Sequence, residues 1–420
     1  KLFRQIRRNT DKEAVNIGKA DRKRWEGNVK SMEIVAKPYE EITDDDRQFL
    51  RENYTSAGGL IPNAYSGGAF FTPPHVARFM WQCLTPRLPA NPRILEPSAG
   101  SGVFLEHAPA DSDITAIELD KTSAKVTSIL YPDAEIIEGD ALLHDRRDYY
   151  DLVIGNPPYG VTVEFDAGDE EWQAVGKRKG LRRGKSETAF MELAIKTVKP
   201  GGYIAFIMPM GLSFTQNNAK VRKLMYDTCW QVATVLLPGE TFAHVGTTIP
   251  TQILILRKAP PNTPRLTVNK RVLGLGGRDL QLKAEFFAGQ MPAYFARVTD
   301  IGYDKDGKPT DKWGDGLTQL DELVEDLADV EYELVRSNLY PNIPSWADRG
   351  GDNSEFFFDR TNGDSDGSNR AGQYDGPHHW NEFTLGMGEE YVVDGVEWSS
   401  MDYSWQDAIV AEYERKKAAR

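Results

Sequence analysis

The sequence predicts a doubly wound α/β fold, and three observations carry that prediction. From Phe70 onward, short apolar runs of strand length alternate with stretches of helical pattern. Of the 420 residues, 40% are hydrophobic and 10% aromatic, enough for a real core and too much for wholesale disorder. The longest apolar stretch, around Tyr203 to Leu212, is far shorter than the ~20 residues a membrane-spanning helix needs.

Residues 1–45 read as a basic, helical lead-in with no deep core of their own, and the first thirty residues hold ten Lys/Arg against four Asp/Glu. The chain opens on Lys1 with no apolar run behind it, so a segment of a longer polypeptide without a signal peptide is expected. Thr43-Asp44-Asp45-Asp46 caps a short helix running into Phe49 and Leu50, because its side-chain oxygens accept the unpaired first-turn N–H groups. A glycine-marked loop follows through Gly58-Gly59 and Ser66-Gly67-Gly68. Thr72-Pro73-Pro74 then opens a helix to Leu84, with Thr as cap and proline in the first turn, where its missing N–H costs nothing.

Strands are expected at Arg93–Leu95, Ile114–Ile117, Glu135–Ile137, Leu152–Ile154, Tyr203–Met208, Val232–Leu237 and Thr251–Leu256. Helices fall near Gly102–Ala108, Lys121–Leu130, Glu187–Val198 and Gln216–Tyr226. The last two runs have no helix between them and should pair antiparallel. After Lys258 the pattern weakens. Pro260, Pro261 and Pro264 mark a linker, residues 265–300 fit a few strands and a short amphipathic helix, and 321–334 fit an acidic helix. Residues 350–376 are Gly/Asp/Asn/Ser-rich, as loops or disorder are. Trp380, Trp398 and Trp405 argue against a merely solvated tail, and no internal repeat is present.

Net charge is −13, but residues 301–420 carry 27 Asp+Glu against 11 Lys+Arg, or −16, leaving +3 for residues 1–300. That balance excludes nucleic-acid binding by the whole surface while leaving room for one basic face. Cys83 and Cys229 make neither a disulfide framework nor a zinc site, so a reducing, cytoplasmic setting is expected. The six histidines are scattered apart from His378-His379 and point to no metal centre.

Four motifs carry chemistry. In Glu96-Pro97-Ser98-Ala99-Gly100-Ser101-Gly102 a strand runs into a glycine turn and an expected helix start, where backbone N–H groups can meet a ligand. Glu96 at the strand's end suits a cationic ammonium better than a pyrophosphate, and the lysine of a phosphate-binding loop is missing. Glu118-Leu119-Asp120 ends the next strand, where a carboxylate can accept both hydroxyls of a ribose. Glu138-Gly139-Asp140-Ala141 closes the third strand, where a carboxylate can accept from an adenine amino group. Asn156-Pro157-Pro158-Tyr159 ends the fourth. Its prolines fix the backbone and remove two donors, so the Asn156 side-chain oxygen and the Pro157 carbonyl can both accept from one amino group. Two such acceptors favour a more tetrahedral nitrogen whose lone pair can attack, and Tyr159 offers a flat face to a ring.

In this order, with Phe71-Thr72-Pro73-Pro74 ahead of them, the motifs resemble those of S-adenosylmethionine-dependent DNA adenine-N6 methyltransferases. The likeness covers roughly residues 70–258. It implies a Rossmann-like seven-stranded methyltransferase sheet in a domain of residues 46–258, between the lead-in of 1–45 and an acidic C-terminal region, 259–420, for target recognition or regulation. It further implies that S-adenosyl-L-methionine lies with its methionine end beside Thr72, Pro74, Glu96 and Gly100, its ribose at Glu118 and its adenine between Asp140 and Leu142, with Ser98, Gly102, Leu119, Ala141 and Asn156 completing the set. Asn156, Pro157 and Tyr159 would be catalytic, with Tyr159 and Phe242 stacking a flipped base. The partners implied are DNA and a helicase, nuclease or specificity protein, with no membrane. The Gly58-Gly59 and Asn63-Ala64-Tyr65 lead-in also resembles large phage and mobile-element methyltransferase–helicase proteins, although the 420 residues contain no Walker A sequence.

Lys177, Arg178, Lys179, Arg182, Arg183 and Lys185 put six cations into nine residues after the fourth motif, and their position points to contact with the DNA backbone. With no Pro-Cys pair, the covalent cysteine route of cytosine-C5 methylation is excluded, leaving direct in-line transfer. Two other readings stay open. One is an RNA-base or protein-glutamine N-methyltransferase, because Asn-Pro-Pro-Tyr serves planar amides and amines alike. The other is a non-catalytic DNA-binding or antirestriction protein.

Overall fold

The computed structural model describes residues 19–54, 72–245, 249–261, 263, 265–273, 279–287, 293–304, 308–310, 312, 317–324, 327, 378–381, 390–393 and 396–399. Helices α1 (Lys19–Val35), α2 (Asp44–Asn53) and α3 (Pro74–Leu84) lead into β1 (Arg93–Glu96), β2 (Asp113–Glu118), α4 (Lys121–Leu130), β3 (Glu135–Glu138) and β4 (Tyr150–Gly155). Next come β5 (Thr162–Phe165), β6 (Gly176–Arg178), β7 (Leu181–Lys185), α5 (Ser186–Thr197) and β8 (Val198–Pro209). Helices α6 (Gly211–Phe214) and α7 (Ala219–Thr228) precede β9 (Cys229–Leu237) and β10 (Thr251–Lys258). The remaining strands are β11 (Arg265–Leu273), β12 (Asp279–Phe287), β13 (Ala293–Arg297), β14 (His378–Asn381), β15 (Glu390–Val393) and β16 (Val396–Ser399).

All seven expected runs are strands of one sheet, ordered β14-β13-β9-β10-β8-β4-β1-β2-β3. Strands β3, β2, β1, β4 and β8 run parallel, while β10 is antiparallel to both β8 and β9, as the missing helix between the last two runs required. Both faces are covered, so the central strands read as continuous apolar runs rather than alternating ones. Ile94, Leu152, Ile154, Ala205, Ile207, Ile253 and Ile255 pack toward α3 on one face. Their neighbours Leu95, Val153, Ile204, Phe206, Met208, Leu254 and Leu256 pack toward α5 and α7 on the other.

The seven-strand count is too small. Strand β13 adds parallel to β9, and β14 adds antiparallel to β13, which makes nine among the described residues. The boundary at residue 258 does not divide the core either. Tyr294, Ala296, Val298, Ile301, Leu320, Leu323 and Leu327 are buried against the α3 face, Arg78 pairs with Asp321 at 3.2 Å, and Arg87 donates to the Leu327 carbonyl at 2.7 Å. Strands β12, β11, β15 and β16 form a separate four-stranded sheet drawn from both sides of residue 300.

The lead-in packs onto the main domain rather than around a core of its own. Ile34, Val35, Ile42, Leu50 and Tyr54 bury themselves against Val126, Ile129 and Leu130 of α4. Helix α2 carries the expected cap: Asp46 N–H donates to Thr43 Oγ1 at 3.1 Å while Thr43 N–H donates to Asp46 Oδ2 at 3.0 Å. Two local expectations fail. The N-cap of α3 is Pro73, with no side-chain cap bond from Thr72. The helix expected over Gly102–Ala108 is only a turn and a single 3₁₀ turn, Leu105–His107, because Pro109 holds Ala108 extended and leaves too few residues to propagate an α-helix. Phe71, the Gly58–Gly59 and Asn63–Tyr65 lead-in, residues 350–376 and Trp405 lie outside the described residues.

Candidate functional site

Parallel strands present their carboxyl ends along one edge, and four of the motifs meet there. Glu96 ends β1 opposite Ala116 of β2, two residues before Glu118, and Leu95 lies opposite Val153 of β4, two residues before Gly155. A Cβ added to Gly155 would sit 3.6 Å from Glu96 Cγ and 3.9 Å from Ser98 Oγ. The entry to the Asn156 loop therefore touches the start of the glycine turn.

Glu118 laces the strand ends together. Its Oε2 accepts from Gly100 N–H at 2.8 Å, its Oε1 from Asp120 N–H at 2.7 Å, and its carbonyl from Gly139 N–H at 3.0 Å. The glycine turn is pinned again where Thr127 Oγ1 donates to the Gly100 carbonyl at 2.9 Å. Gly102 sits at φ +80, and a Cβ there would lie 2.6 Å from the Tyr131 ring, so only glycine fits. Asp140 accepts from Leu142 N–H at 3.0 Å and caps the short turn Ala141–Leu143. Ala141 and Leu142 are buried, while Leu119 is 74% and Leu143 56% exposed. An apolar rim thus flanks the acidic strand ends.

Glu96 is buried at 1% exposure. Burial first, and then the charge of Glu118, push its carboxyl well above the usual carboxylate range. Burial also raises Glu118, against the opposing pull of the backbone N–H groups of Asp120, Gly100 and Leu119. Among the described residues, Glu96 Oε2 and Ser98 Oγ have no hydrogen-bond partner despite being buried. Thr72 is buried just ahead of α3, whose Trp81 donates to the Phe104 carbonyl at 2.7 Å and so seats the helix against the far end of the glycine turn. Pro74 is exposed at the first position of that helix.

Asn156 is half-buried, Pro157 buried, and Tyr159 buried with its phenol pushed upward by desolvation. Phe242 is placed elsewhere than expected. It is fully buried in the core among residues of α3, β9 and β10, with no exposed face to offer a base. A phenylalanine in the segment between two apolar strands looks the same in sequence whether it fills the core or lines a pocket.

The cationic segment is a β-hairpin rather than a loop. Strands β6 and β7 turn at Lys179 and Gly180, both at positive φ, and β5 pairs with β7. This splits the six cations. Arg182 shares a register position with Phe165 and donates to the carbonyls of Glu170 at 2.7 Å and Trp172 at 3.4 Å. Arg178, Arg183 and Lys185 lie on the opposite, exposed face with the turn residue Lys179, and Lys177 is exposed at the edge. The flap is anchored from beneath. Glu170 pairs with Arg147 at 2.6 Å and Lys196 at 3.3 Å. Buried Glu192 of α5 accepts from the N–H groups of Gln173, Ala174 (2.8 Å) and Val175 (3.2 Å). Trp172 packs edge-on against Phe165 at 4.8 Å between centroids.

Sequence reasoning missed Glu187. Its Oε2 accepts from Gly160 N–H at 2.9 Å, directly behind Tyr159. The only sequence signal was its place in the first turn of a helix, where a carboxylate is common.

The family model for N-6 DNA methylases matches residues 61–275. Over 245 residues the chain is 27% identical to the Defense against restriction protein B of Escherichia phage P1, an alignment covering 57% of this chain and 10% of that protein. It is 30% identical over 165 residues to Type II methyltransferase M.TthHB8I of Thermus thermophilus, covering 36% of this chain and 37% of that protein. It is 26% identical over 246 residues to the Type I restriction enzyme EcoEI methylase subunit of Escherichia coli, covering 52% and 48%. The solved type I restriction-modification system methyltransferase subunit from Streptococcus thermophilus is similar at a TM-score of 0.48 and 18% identity, covering 71% of this chain and 62% of that one. The chain spans from a tenth to about half the length of these curated relatives.

Proposed function

Because the chain belongs to the N-6 DNA methylase family, we propose that it transfers the methyl group of S-adenosylmethionine to the N6 amino group of adenine in DNA. One observation carries this reading: Gly155, the residue that leads into the Asn156-Pro157-Pro158-Tyr159 turn, lies beside Glu96 and Ser98 at neighbouring strand ends. The residues fit the cofactor. A buried carboxyl and hydroxyl without partners, Glu96 and Ser98, suit an ammonium and carboxylate end. Glu118 keeps lone pairs for ribose hydroxyls beyond the two N–H groups it holds, and Asp140 with exposed Leu119 suits an adenine. Thr72, Pro74, Gly100, Gly102, Ala141 and Leu142 complete the walls. Bound there, S-adenosylmethionine supplies an electrophilic methyl group on a sulfonium.

Asn156 Oδ1 and the Pro157 carbonyl accept the two amino hydrogens of adenine, drawing nitrogen toward a tetrahedral geometry with its lone pair free. Their placement matters most in the transition state. Burial pushes the Cys83 thiol up to about 12 and the Cys229 thiol up to about 11, so neither is suited to act as a nucleophile. An adenine in a duplex must leave the stack to reach this site. Tyr159 stacks it, while Phe242 serves the core. The outer face of the flap, with Arg178, Lys179, Arg183 and Lys185, holds phosphates beside the loop.

No helix among the described residues is long and apolar enough to cross a membrane. Because the EcoEI relative is named as a methylase subunit, we extend the reading to a partner that supplies target specificity, nuclease or helicase activity. The test is transfer from radiolabelled S-adenosylmethionine to DNA, RNA and protein offered in parallel. Label in DNA alone is expected. Label in RNA or protein alone overturns the substrate, and no cofactor binding at all overturns the enzyme.

A further inference from the structure

We infer that Glu187 is a positioning residue for the catalytic turn and that, with Lys185 and Ser186, it buckles that turn to the cationic flap. The inference rests on the methyl-transfer reading for its kinetic consequence but not for its structural one. The turn Asn156–Gly160 is fixed at its near end by β4 and stiffened in the middle by two prolines. Its far end is Gly160, at φ +78, where a Cβ would meet nothing within 4 Å. The side of Gly160 that a side chain would occupy is open, so what ties the residue down is the hydrogen bonding of its backbone.

Three consecutive residues hold Gly160 and the residue after it, Val161. Gly160 N–H donates to Glu187 Oε2 at 2.9 Å, and Lys185 Nζ donates to the Gly160 carbonyl at 3.1 Å. Ser186 N–H donates to the Val161 carbonyl at 2.9 Å. Glu187 is 8% exposed and Ser186 wholly buried, while Lys185 lies at the exposed end of β7, on the same outer face as Arg183. A carboxylate in the first turn of α5 is favoured by the free N–H groups and dipole there. The strand that carries the outward cations thus runs straight into the residues that grip the catalytic turn. Glu192, one helical stretch further on, grips the other side of the flap through residues 173–175 but does not touch the turn.

A glutamine at 187 keeps an oxygen acceptor for Gly160, whereas alanine removes it. The experiment compares the 420-residue chain with Glu187→Ala, Glu187→Gln and Glu192→Gln by hydrogen–deuterium exchange of the peptide spanning 156–161, alongside turnover and cofactor affinity. Glu187→Ala should speed exchange at 156–161 and lower kcat by about 10²-fold, the scale of an ångström-sized misplacement, with cofactor affinity unchanged. Glu187→Gln should restore both readouts, and Glu192→Gln should speed exchange at 173–175 alone. Unchanged exchange at 156–161 in Glu187→Ala overturns the positioning role whatever the turnover shows. Faster exchange in both the Ala and Gln variants overturns the acceptor assignment. If the unsubstituted chain transfers no methyl group, the functional reading fails, and the exchange data still decide the role of Glu187.

Discussion

Replacing Glu96 by glutamine should stabilise the protein and weaken cofactor binding at once. Glu96 is 1% exposed, its Oε2 lacks a partner among the described residues, and Glu118 adds a like charge nearby. Its folded pKa lies above the ordinary carboxylate value of 4.5. The neutral form therefore contributes stability that is fully present below 4.5 and lost as pH rises through the raised folded pKa. An unpartnered buried polar group costs about 1–3 kcal/mol, and more when charged. Glutamine has the same shape and a polar amide but does not titrate, so only the ionisation cost is removed. Without cofactor the variant should gain on the wild type by about 1.4 kcal/mol for each pH unit above 4.5 over which the carboxyl is held protonated, more at pH 8 than at pH 5. With cofactor the sign reverses. Losing a charge-assisted bond to the ammonium costs about 1.5–3 kcal/mol, which corresponds to roughly 10- to 150-fold in Kd. Urea unfolding between pH 5 and 8 measures the first effect and calorimetry the second. Parallel stability profiles for the two proteins, or an unchanged Kd, would refute the reasoning.

Four further outcomes follow from the same geometry. Gly102→Ala must place a Cβ 2.6 Å from the Tyr131 ring at φ +80, so it should cost at least the ~1–2 kcal/mol of a left-handed non-glycine residue, read as a lowered urea midpoint; an unchanged midpoint would mean the turn relaxes freely. Glu118→Ala strands the N–H groups of Gly100 and Asp120 as well as the ribose, so calorimetry should show weaker cofactor binding by ~1.5–3 kcal/mol or more, and unchanged affinity would remove Glu118 from the site. Arg183→Ala should flatten the salt dependence of DNA binding, with the slope falling by about 1 per lost phosphate contact. Arg182→Ala should instead loosen the flap at Glu170 and Trp172. Equal salt slopes for Arg183→Ala and the unsubstituted chain would take the outer face off the DNA path.

The central sheet was legible because each of its seven core strands is a short apolar run between turn signals, which also puts Glu96, Glu118 and Asp140 at strand ends; Asn156 stood out by its Asn-Pro-Pro-Tyr motif. What was not legible depends on contacts distant in sequence. Strand β13 is five residues long and finds its place only against the open edge of β9, and β14 joins it from about eighty residues further on. The six cations of 177–185 read as one cluster, but pairing with β5 turns Arg182 inward and leaves Arg183 outside. Phe242 has the composition of a pocket residue and the burial of a core one. Glu187 and Glu192 look like ordinary helix-surface carboxylates until the loops they hold fold over them.

Nucleoside analysis of DNA incubated with isotopically labelled S-adenosylmethionine tests the proposed chemistry most directly, with the Asn156→Ala variant run beside the unsubstituted chain. The expected product is N6-methyladenine carrying the label, nearly abolished in Asn156→Ala although that variant keeps its fold and most of its cofactor affinity. Label on cytosine, or N6-methyladenine formed equally by Asn156→Ala, would contradict the assignment of the Asn156 turn as the amino-group acceptor.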